Sequence, residues 1–385
     1  LAIWRATIIC PRISAEVPTP AHATGTTLTI DLDAVVANYR TLCDTAAGAE
    51  CAAVVKADGY GLGAEPIVQA LSAVGCKTFF VAHLGEALAI RHTVPHATIA
   101  VLNGAAHGAE AEFAEHHLLP VLNSLEAVAA CTAQGVEDGT RLPAILHIDT
   151  GMSRLGLSDA ELDRVADDPS LLDGVDIKCV MSHLAVAEEP DHPLNAEQRA
   201  RFEAARKRLP ELPASLANSS GIFLGPDYHY DLVRPGAALY GVNPRPGSEN
   251  IMRQVVKLEA PILQLRSIDS PRTVGYGATH GVTGVTKIAT IPVGYADGYL
   301  RSLSNRGHAF LGDFEVPVVG RVSMDLVTLD VTAVPDEIAH PGAMVEVISE
   351  RYPVDTLGAD AGTIGYEILT SLGARYARRY VSAGA

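Results

Sequence analysis

The sequence predicts an α/β protein: an N-terminal (β/α)8 TIM-type barrel followed by a C-terminal, mainly antiparallel β domain. Three observations predict it. From residue 50 onward, short apolar runs alternate with amphipathic stretches, the pattern of strand–helix units around a parallel sheet, and eight such units suit a closed barrel. Each of these runs ends on a polar residue, as barrel strands do when their C-terminal ends open onto a site. Near residue 250 the rhythm stops, and closely spaced β runs follow with no long helical stretch between them. The division is therefore 1–26 as an extension without ordered structure, 27–252 as the barrel and 253–385 as the β domain.

In order along the chain, residues 1–26 contain Ala21-His22-Ala23, which mimics a signal-cleavage site. However, Arg5 and Pro11 break up the apolar stretch that a secretion signal needs. The barrel runs are Ala52–Lys56, Thr78–His83, Thr98–Asn103, Leu118–Asn123, Ala144–Asp149, Ile177–His183, Ala214–Asn218 and Tyr230–Arg234. Helical spacing lies between them, as in Glu65–Val74 and Asn195–Leu209. The β domain reads as Val255–Ser267, Thr286–Val293, His308–Val319, Val327–Val331 and Met344–Ser349, with turns at Gly312-Asp313 and Pro341-Gly342. Thr356–Tyr376 has helical spacing.

Composition narrows the function. With 48% apolar and 19% charged residues, the 385-residue chain is globular. Its net charge of -16, from 45 acidic and 29 basic side chains, argues against nucleic acid or an anionic membrane as partner. The six cysteines show no CxxC, which fits reduced thiols in a cytoplasmic enzyme, and no apolar run reaches the length of a membrane span. The fourteen histidines are scattered and His116-His117 cannot share one face, so no metal is expected.

The chemistry begins at "VVKADGYGLG", residues 54–63. A buried run that ends in a lysine takes the ammonium out of water. Burial then lowers its pKa and makes it a nucleophile or base. The glycines form GxGxG rather than GxGxxG or a phosphate-loop GK[ST], so a tight turn accounts for them, but not for Lys56 and Tyr60 beside them. Asn218-Ser219-Ser220-Gly221 and Arg234-Pro235-Gly236-Ala237 end the last two barrel runs, where barrels often hold phosphate and where ordinary turns also occur. Asp149 to Arg154 reads equally as an Asx-type turn carrying a surface arginine. Tyr276, Tyr295 and Tyr366 each sit beside a glycine and, singly, read as packing residues.

Together these motifs resemble the alanine racemase family of fold-type-III pyridoxal-phosphate enzymes over residues 27–385. The nine stretches "VVKADGYGLG", "IDTGMSRLG", "SHLA", "NSSG", "VRPGAALYG", "YGAT", "IPVGYADG", "GRVSMD" and "TIGYE" keep the family's order and spacing. The resemblance implies a pyridoxal 5'-phosphate enzyme that interconverts L- and D-alanine for peptidoglycan, as a homodimer with shared sites. By the same resemblance, Lys56 forms the Schiff base and is one catalytic base, and Tyr276 from the partner subunit is the other. Tyr60, Ser219, the backbone of Gly236 and Ala237, and Tyr366 hold the phosphate. Arg234 faces the pyridine nitrogen, supported by His183. Arg154 steadies the substrate carboxylate, and Tyr295, Met324 and Asp325 of the partner complete the substrate site.

Two bases on opposite faces of a planar carbanion exchange its proton without turning the substrate. A lysine near pKa 10.4 and a tyrosine near 10 must both be tuned down to do so near neutrality. His183 and Arg154 are the cations expected to tune Tyr276. Guanidinium can only donate, so Arg234 keeps the ring nitrogen unprotonated, and a short-lived carbanion then favours simple proton exchange. One departure matters. Many family members carry a carbamylated lysine where this chain has His147, so Arg154 must be oriented by His147, water or another anion. The alternatives are a racemase of the same fold for serine or larger amino acids, a fold-type-III decarboxylase and, from another class, a non-catalytic cofactor-binding protein. The absence of cysteine past residue 179 and the presence of the β domain weigh against the last two.

Overall fold

A computed structural model describes residues 25–46 and 48–382. The extension expected over residues 1–26 lies, up to residue 24, outside the described residues.

The eight apolar runs form the barrel. Its first strand comes in two short pieces, Glu50–Cys51 and Ala53–Val54. Thr78–Val81, Thr98–Val101, Leu119–Leu122, Leu142–His147, Val175–Met181, Ala214–Ser215 and Leu232–Val233 follow. Ala53–Val54 through Ala214–Ser215 pair in sequence order, all parallel. Leu232–Val233 closes the ring. It pairs parallel with Glu50–Cys51, and on its other side Asp231 N–H donates to Ala214 C=O (3.0 Å) and Arg234 N–H to Ala217 C=O (2.9 Å). The strands are covered on both faces, so Thr78–Val81 (TFFV) is buried throughout and needs no polar alternation.

The intervening stretches are helical for local reasons. Asp31 caps Leu32–Thr45 through Ala34 N–H, and Ser158 with Glu161 makes a capping box on Asp159–Asp167. Pro193 opens Pro193–Arg206, so this helix starts and ends slightly earlier than its spacing predicts.

The C-terminal region differs from expectation in three places. Val255–Ser267 is two strands, Val256–Pro261 and Gln264–Ile268, which serve different sheets. The helical stretch over Thr356–Tyr376 is two helices, Val354–Ala361 and Gly365–Ser371, because Gly362 (φ 76°) takes the left-handed conformation and ends the first. Thr27–Asp31, placed with the barrel by the sequence division, pairs antiparallel with Val256–Pro261 and parallel with Ala377–Val381. That completes a six-stranded sheet in the order Phe314–Pro317, His308–Leu311, Met344–Ile348, Val256–Pro261, Thr27–Asp31, Ala377–Val381. Sequence proximity therefore misplaces Thr27–Asp31, whose partners lie far away along the chain.

One hydrophobic cluster runs from Val54, Phe79 and Phe80 in the barrel to Leu258, Val345 and Ile348 in the sheet. Asn38, 1% exposed, joins the two regions. Its amide nitrogen donates to Leu239 C=O (3.1 Å) and Arg253 C=O (2.9 Å), and its oxygen accepts from Arg253 N–H (2.6 Å). Asn38→Ala leaves all three backbone groups short of a partner and is expected to cost about 2–4 kcal/mol. Urea unfolding at unchanged m-value checks this through the lowered midpoint.

Candidate functional site

The C-terminal ends of the strands surround a cavity of about 710 Å³. Lys56, Tyr60, Arg154, His183, Ser219, Arg234, Gly236, Ala237 and Tyr366, nine of the thirteen residues the sequence nominates, line it. Of the polar strand ends, Lys56, Asn103, His183, Asn218 and Arg234 reach the cavity directly. The others support it. His83 meets Asn103 at 3.3 Å and Asn123 meets His147 at 2.7 Å. Asp149 folds the Asx-type turn by accepting from Gly151, Met152 and Ser153 N–H at 2.9–3.1 Å, so the turn reading holds even though Arg154 reaches the cavity.

The lysine follows the first strand at a strained place. Ala57 (φ 53°), Asp58 (φ 52°), Gly59 (φ 62°) and Tyr60 (φ 56°) are consecutive left-handed residues. For the three non-glycines this costs about 1–2 kcal/mol each. Hydrogen bonds offset it: Gly59 N–H to Val55 C=O (2.9 Å), Gly61 N–H to Ala57 C=O (2.7 Å) and Ala64 N–H to the Asp58 carboxylate (2.7 Å). The reversed hand turns the chain sharply, so that Lys56 and Tyr60 both face the cavity. Desolvation, and then the Arg154 guanidinium, push the Lys56 ammonium below its ordinary pKa, while Glu86 pulls it back up.

Tyr60 is buried, its ring stacked on Tyr240 at 4.7 Å, and the Tyr240 hydroxyl donates to Val54 C=O (3.0 Å). The Tyr60 hydroxyl lies so close to Gly236 that a Cβ there would overlap it. Ser219 Oγ accepts from Gly236 N–H (2.9 Å) and Ala238 N–H (3.3 Å), which leaves its own O–H as a donor. Gly236 N–H is thus already engaged. Ala237, which opens the short turn Ala237–Tyr240, has no acceptor for its N–H within that turn. Two phenols, a serine hydroxyl and a backbone N–H therefore face one corner of the cavity, a donor set that fits a phosphate.

Opposite stands Arg234, 3% exposed. Its guanidinium donates to Ser215 Oγ, to Ser182 C=O (2.6 Å), to Leu216 C=O (3.4 Å) and to His183 Nδ1 (3.4 Å), and among the described residues it meets no carboxylate. Burial brings its pKa down to about 10, so it stays protonated at neutral pH. As arginine only donates, His183 Nδ1 accepts and its proton sits on Nε2. Burial, then Arg234 and Arg154, hold His183 far below its ordinary pKa, so it is neutral. This corrects one expectation: of the two cations proposed to tune Tyr276, only Arg154 carries charge.

His147 is buried and is pushed down to about 4, first by desolvation and then by Arg234. Asn123 uses its amide N–H groups on Leu102 and Val121 C=O (3.1 and 3.2 Å), so its oxygen faces His147 Nδ1. Nδ1 therefore donates, and Nε2 is left as an acceptor. Asn123 and His147 together make a neutral acceptor beside the cavity that Arg154 also lines.

The remaining nominated residues do not line this cavity. Tyr276, Tyr295 and Met324 are 72%, 42% and 53% exposed on the C-terminal region. Tyr295 N–H donates to Ser323 C=O (3.0 Å) and Ala296 N–H to Met324 C=O (2.9 Å), which joins two of the segments into one surface. Arg375 braces that surface by pairing with Asp297 (2.6 Å) and Asp325 (2.7 Å). Sequence reasoning missed Glu86, Tyr240, Ser182, Ser215 and Arg375. Ser182 and Tyr240 lie inside the motifs "SHLA" and "VRPGAALYG" and Ser215 inside the run Ala214–Asn218, Glu86 left the His83-to-Glu86 spacing of a capping box, and Arg375 left no signal.

A family model described as the alanine racemase N-terminal domain matches residues 30–244, and its C-terminal counterpart matches residues 255–380. The alanine racemase of Rhodospirillum rubrum is 54% identical over 355 residues, 92% of this chain and 95% of that protein. That of Brucella abortus is 49% identical over 373 residues, 93% and 94% of the two chains. Among solved structures, alanine racemase from Bartonella henselae with covalently bound pyridoxal phosphate superposes at TM-score 0.90, with 43% identity over 92% of this chain and 99% of that one. The biosynthetic enzyme of Pseudomonas aeruginosa gives 0.86, with 33% identity over 93% and 99%.

Neutral His147 has a consequence for stability. The unfolded chain takes up its proton near pH 6.5 and the folded chain only near pH 4, so stability is full above about 6.5 and falls as pH drops through that window. The loss is on the order of 3 kcal/mol. In urea melts at pH 7 and pH 4.5, wild type is expected to lose more stability than His147→Asn, which cannot ionise. Gly236→Val is expected to displace Tyr60 and cut affinity for pyridoxal phosphate by about tenfold or more. Absorbance titration of the cofactor into the purified protein reads this directly.

Proposed function

This chain belongs to the alanine racemase family, and we propose that it interconverts L- and D-alanine with pyridoxal phosphate, using Lys56 and the Tyr276 of a second copy as its two bases. The observation that carries the proposal is the pairing, in one cavity, of a desolvated lysine with a buried guanidinium that meets no carboxylate. Lys56 Nζ would hold the cofactor. Tyr60, Ser219, Ala237 N–H and Tyr366 would hold its phosphate, and Arg234 would donate to its ring nitrogen. When bound, the cofactor supplies the electron withdrawal that acidifies the α-carbon of the substrate.

The chain's own groups do the rest. Arg154 receives the substrate carboxylate, with the Nε2 acceptor of His147 to orient its guanidinium. Lys56, its pKa lowered, takes or returns the proton on one face, and the Tyr276 hydroxyl does so on the other. Arg154 is the charged group available to stabilise a phenolate there. Arg234 stays protonated and only donates, so it offers no proton to the ring.

A homodimer with shared sites follows from this scheme. Tyr276, Tyr295, Met324 and Leu326 form an exposed, partly apolar face of the kind that a second copy would cover. Asp325 belongs to the same face. The proposal also places the enzyme in the cytoplasm, supplying D-alanine for peptidoglycan. In support, Cys43, Cys51, Cys76, Cys131 and Cys179 are free thiols, and among the described residues no helix is long and apolar enough to cross a membrane.

Purified protein is expected to racemise L-alanine, assayed by chiral chromatography, and to lose activity when stripped of pyridoxal phosphate. Lys56→Ala should lose both activity and the cofactor's absorbance band near the visible edge. Tyr276→Phe should keep the band and lose proton exchange from L-alanine. Mixing the two inactive variants tests the shared site. A heterodimer regains one intact site, so statistical mixing should restore about a quarter of wild-type activity. No recovery on mixing, with heterodimers demonstrated by mass, would show that the two residues act within one chain.

A further inference from the structure

Glu86 occupies an unusual position between two elements. It is the third residue of the helix Leu84–Arg91, where a glutamate ordinarily completes a capping box. Capping accounts for one oxygen: Oε2 accepts from His83 N–H (3.2 Å) and from Ala82 N–H (2.7 Å) at the end of the neighbouring strand. It does not account for the other. Oε1 reaches across to Ala57 N–H at 2.6 Å, in the left-handed turn immediately after Lys56. That N–H lies at the start of the turn, where no acceptor within the turn is available to it. One carboxylate therefore clamps the lysine-bearing turn to the second barrel strand.

We propose that Glu86 is the positioning residue of Lys56, fixing the left-handed turn through Ala57 N–H and setting a carboxylate beside the residue that follows the amine. The proposal rests on the reading of Lys56 as the reactive amine. Charged and titratable groups face that amine from three elements: Glu86 from the helix Leu84–Arg91, Arg154 from the loop after Leu142–His147, and neutral His183 from the end of Val175–Met181. Glu86 alone opposes the lowering by desolvation and Arg154. The same residue thus holds the turn that carries the amine and partly offsets the loss of proton affinity that desolvation and Arg154 cause.

Two variants test the clamp and the charge. Glu86→Gln removes the charge and turns one of the two acceptor oxygens into an NH2 that faces an N–H, whereas Glu86→Asp keeps the charge and shortens the reach. The Lys56 ionisation is read on cofactor-free protein by trace acetylation with acetic anhydride across pH, with the Lys56 peptide quantified by mass spectrometry. Racemase kcat and KM are read on the loaded enzyme. In Glu86→Gln the Lys56 inflection is expected to move to lower pH. Both variants are expected to lose about 10- to 100-fold in kcat, and Glu86→Asp to keep an inflection near wild type. An unchanged inflection in Glu86→Gln, or wild-type kcat in Glu86→Asp, overturns the proposal. If Glu86→Gln does not fold, Glu86→Asp decides by its kcat. A wild-type protein that does not racemise alanine would refute the function instead, and the acetylation inflection would still decide the role of Glu86.

Discussion

Three hydrogen bonds close the barrel and create its site: Glu50 N–H to Asp231 C=O (2.8 Å), Ala52 N–H to Val233 C=O (3.0 Å) and Val54 N–H to Pro235 C=O (2.9 Å). They join the first strand to the last, so the residues that follow those strands become neighbours although nearly half the chain separates them. Lys56 follows one and Arg234 the other. An open sheet with the same strands would leave the amine at one edge and the guanidinium at the opposite edge. Closure also removes the edges, which lets strands as short as two residues persist inside a continuous core.

The electrostatics follow from that enclosure. A chain with net charge -16 collects Lys56, Arg154 and Arg234 around one cavity. These groups share it because burial lowers the proton affinity of those that can lose a proton. The lysine is pushed down, His147 and His183 are held neutral, and the guanidinium of Arg234 keeps its charge through hydroxyl and carbonyl acceptors rather than through a carboxylate. A carboxylate partner there would satisfy the guanidinium completely. Carbonyls satisfy it only in part and leave it able to donate to a neutral ring nitrogen.

Strain and support are matched both in the cavity and on the C-terminal surface. The left-handed run after Lys56 persists because the N–H groups of Ala57, Gly59 and Gly61 each find an acceptor, that of Ala57 on the neighbouring helix Leu84–Arg91. On the C-terminal surface, Arg375 pairs with Asp297 beneath the Tyr295 turn and with Asp325 beside Met324, so two loops are held as one body. The half-buried pairing with Asp297, itself 4% exposed, gives that surface a fixed shape before any second chain covers it.

The sequence by itself determined the architecture and most of the cavity. Strand–helix alternation follows from local periodicity, and polar strand ends must gather at one mouth once a barrel is assumed, so Lys56, Arg234 and the serine and glycine turns were legible as neighbours. Tertiary structure decided the rest. Thr27–Asp31 belongs to the C-terminal sheet because its partners, Val256–Pro261 and Ala377–Val381, are distant in the chain and no local pattern names them. His183 and His147 are neutral because protonation depends on burial and on guanidiniums brought from other strands, which spacing does not encode. Glu86 and Arg375 went unread, since a side chain's local role can be read from its neighbours in sequence, while its reach to another strand or loop exists only after the chain has folded.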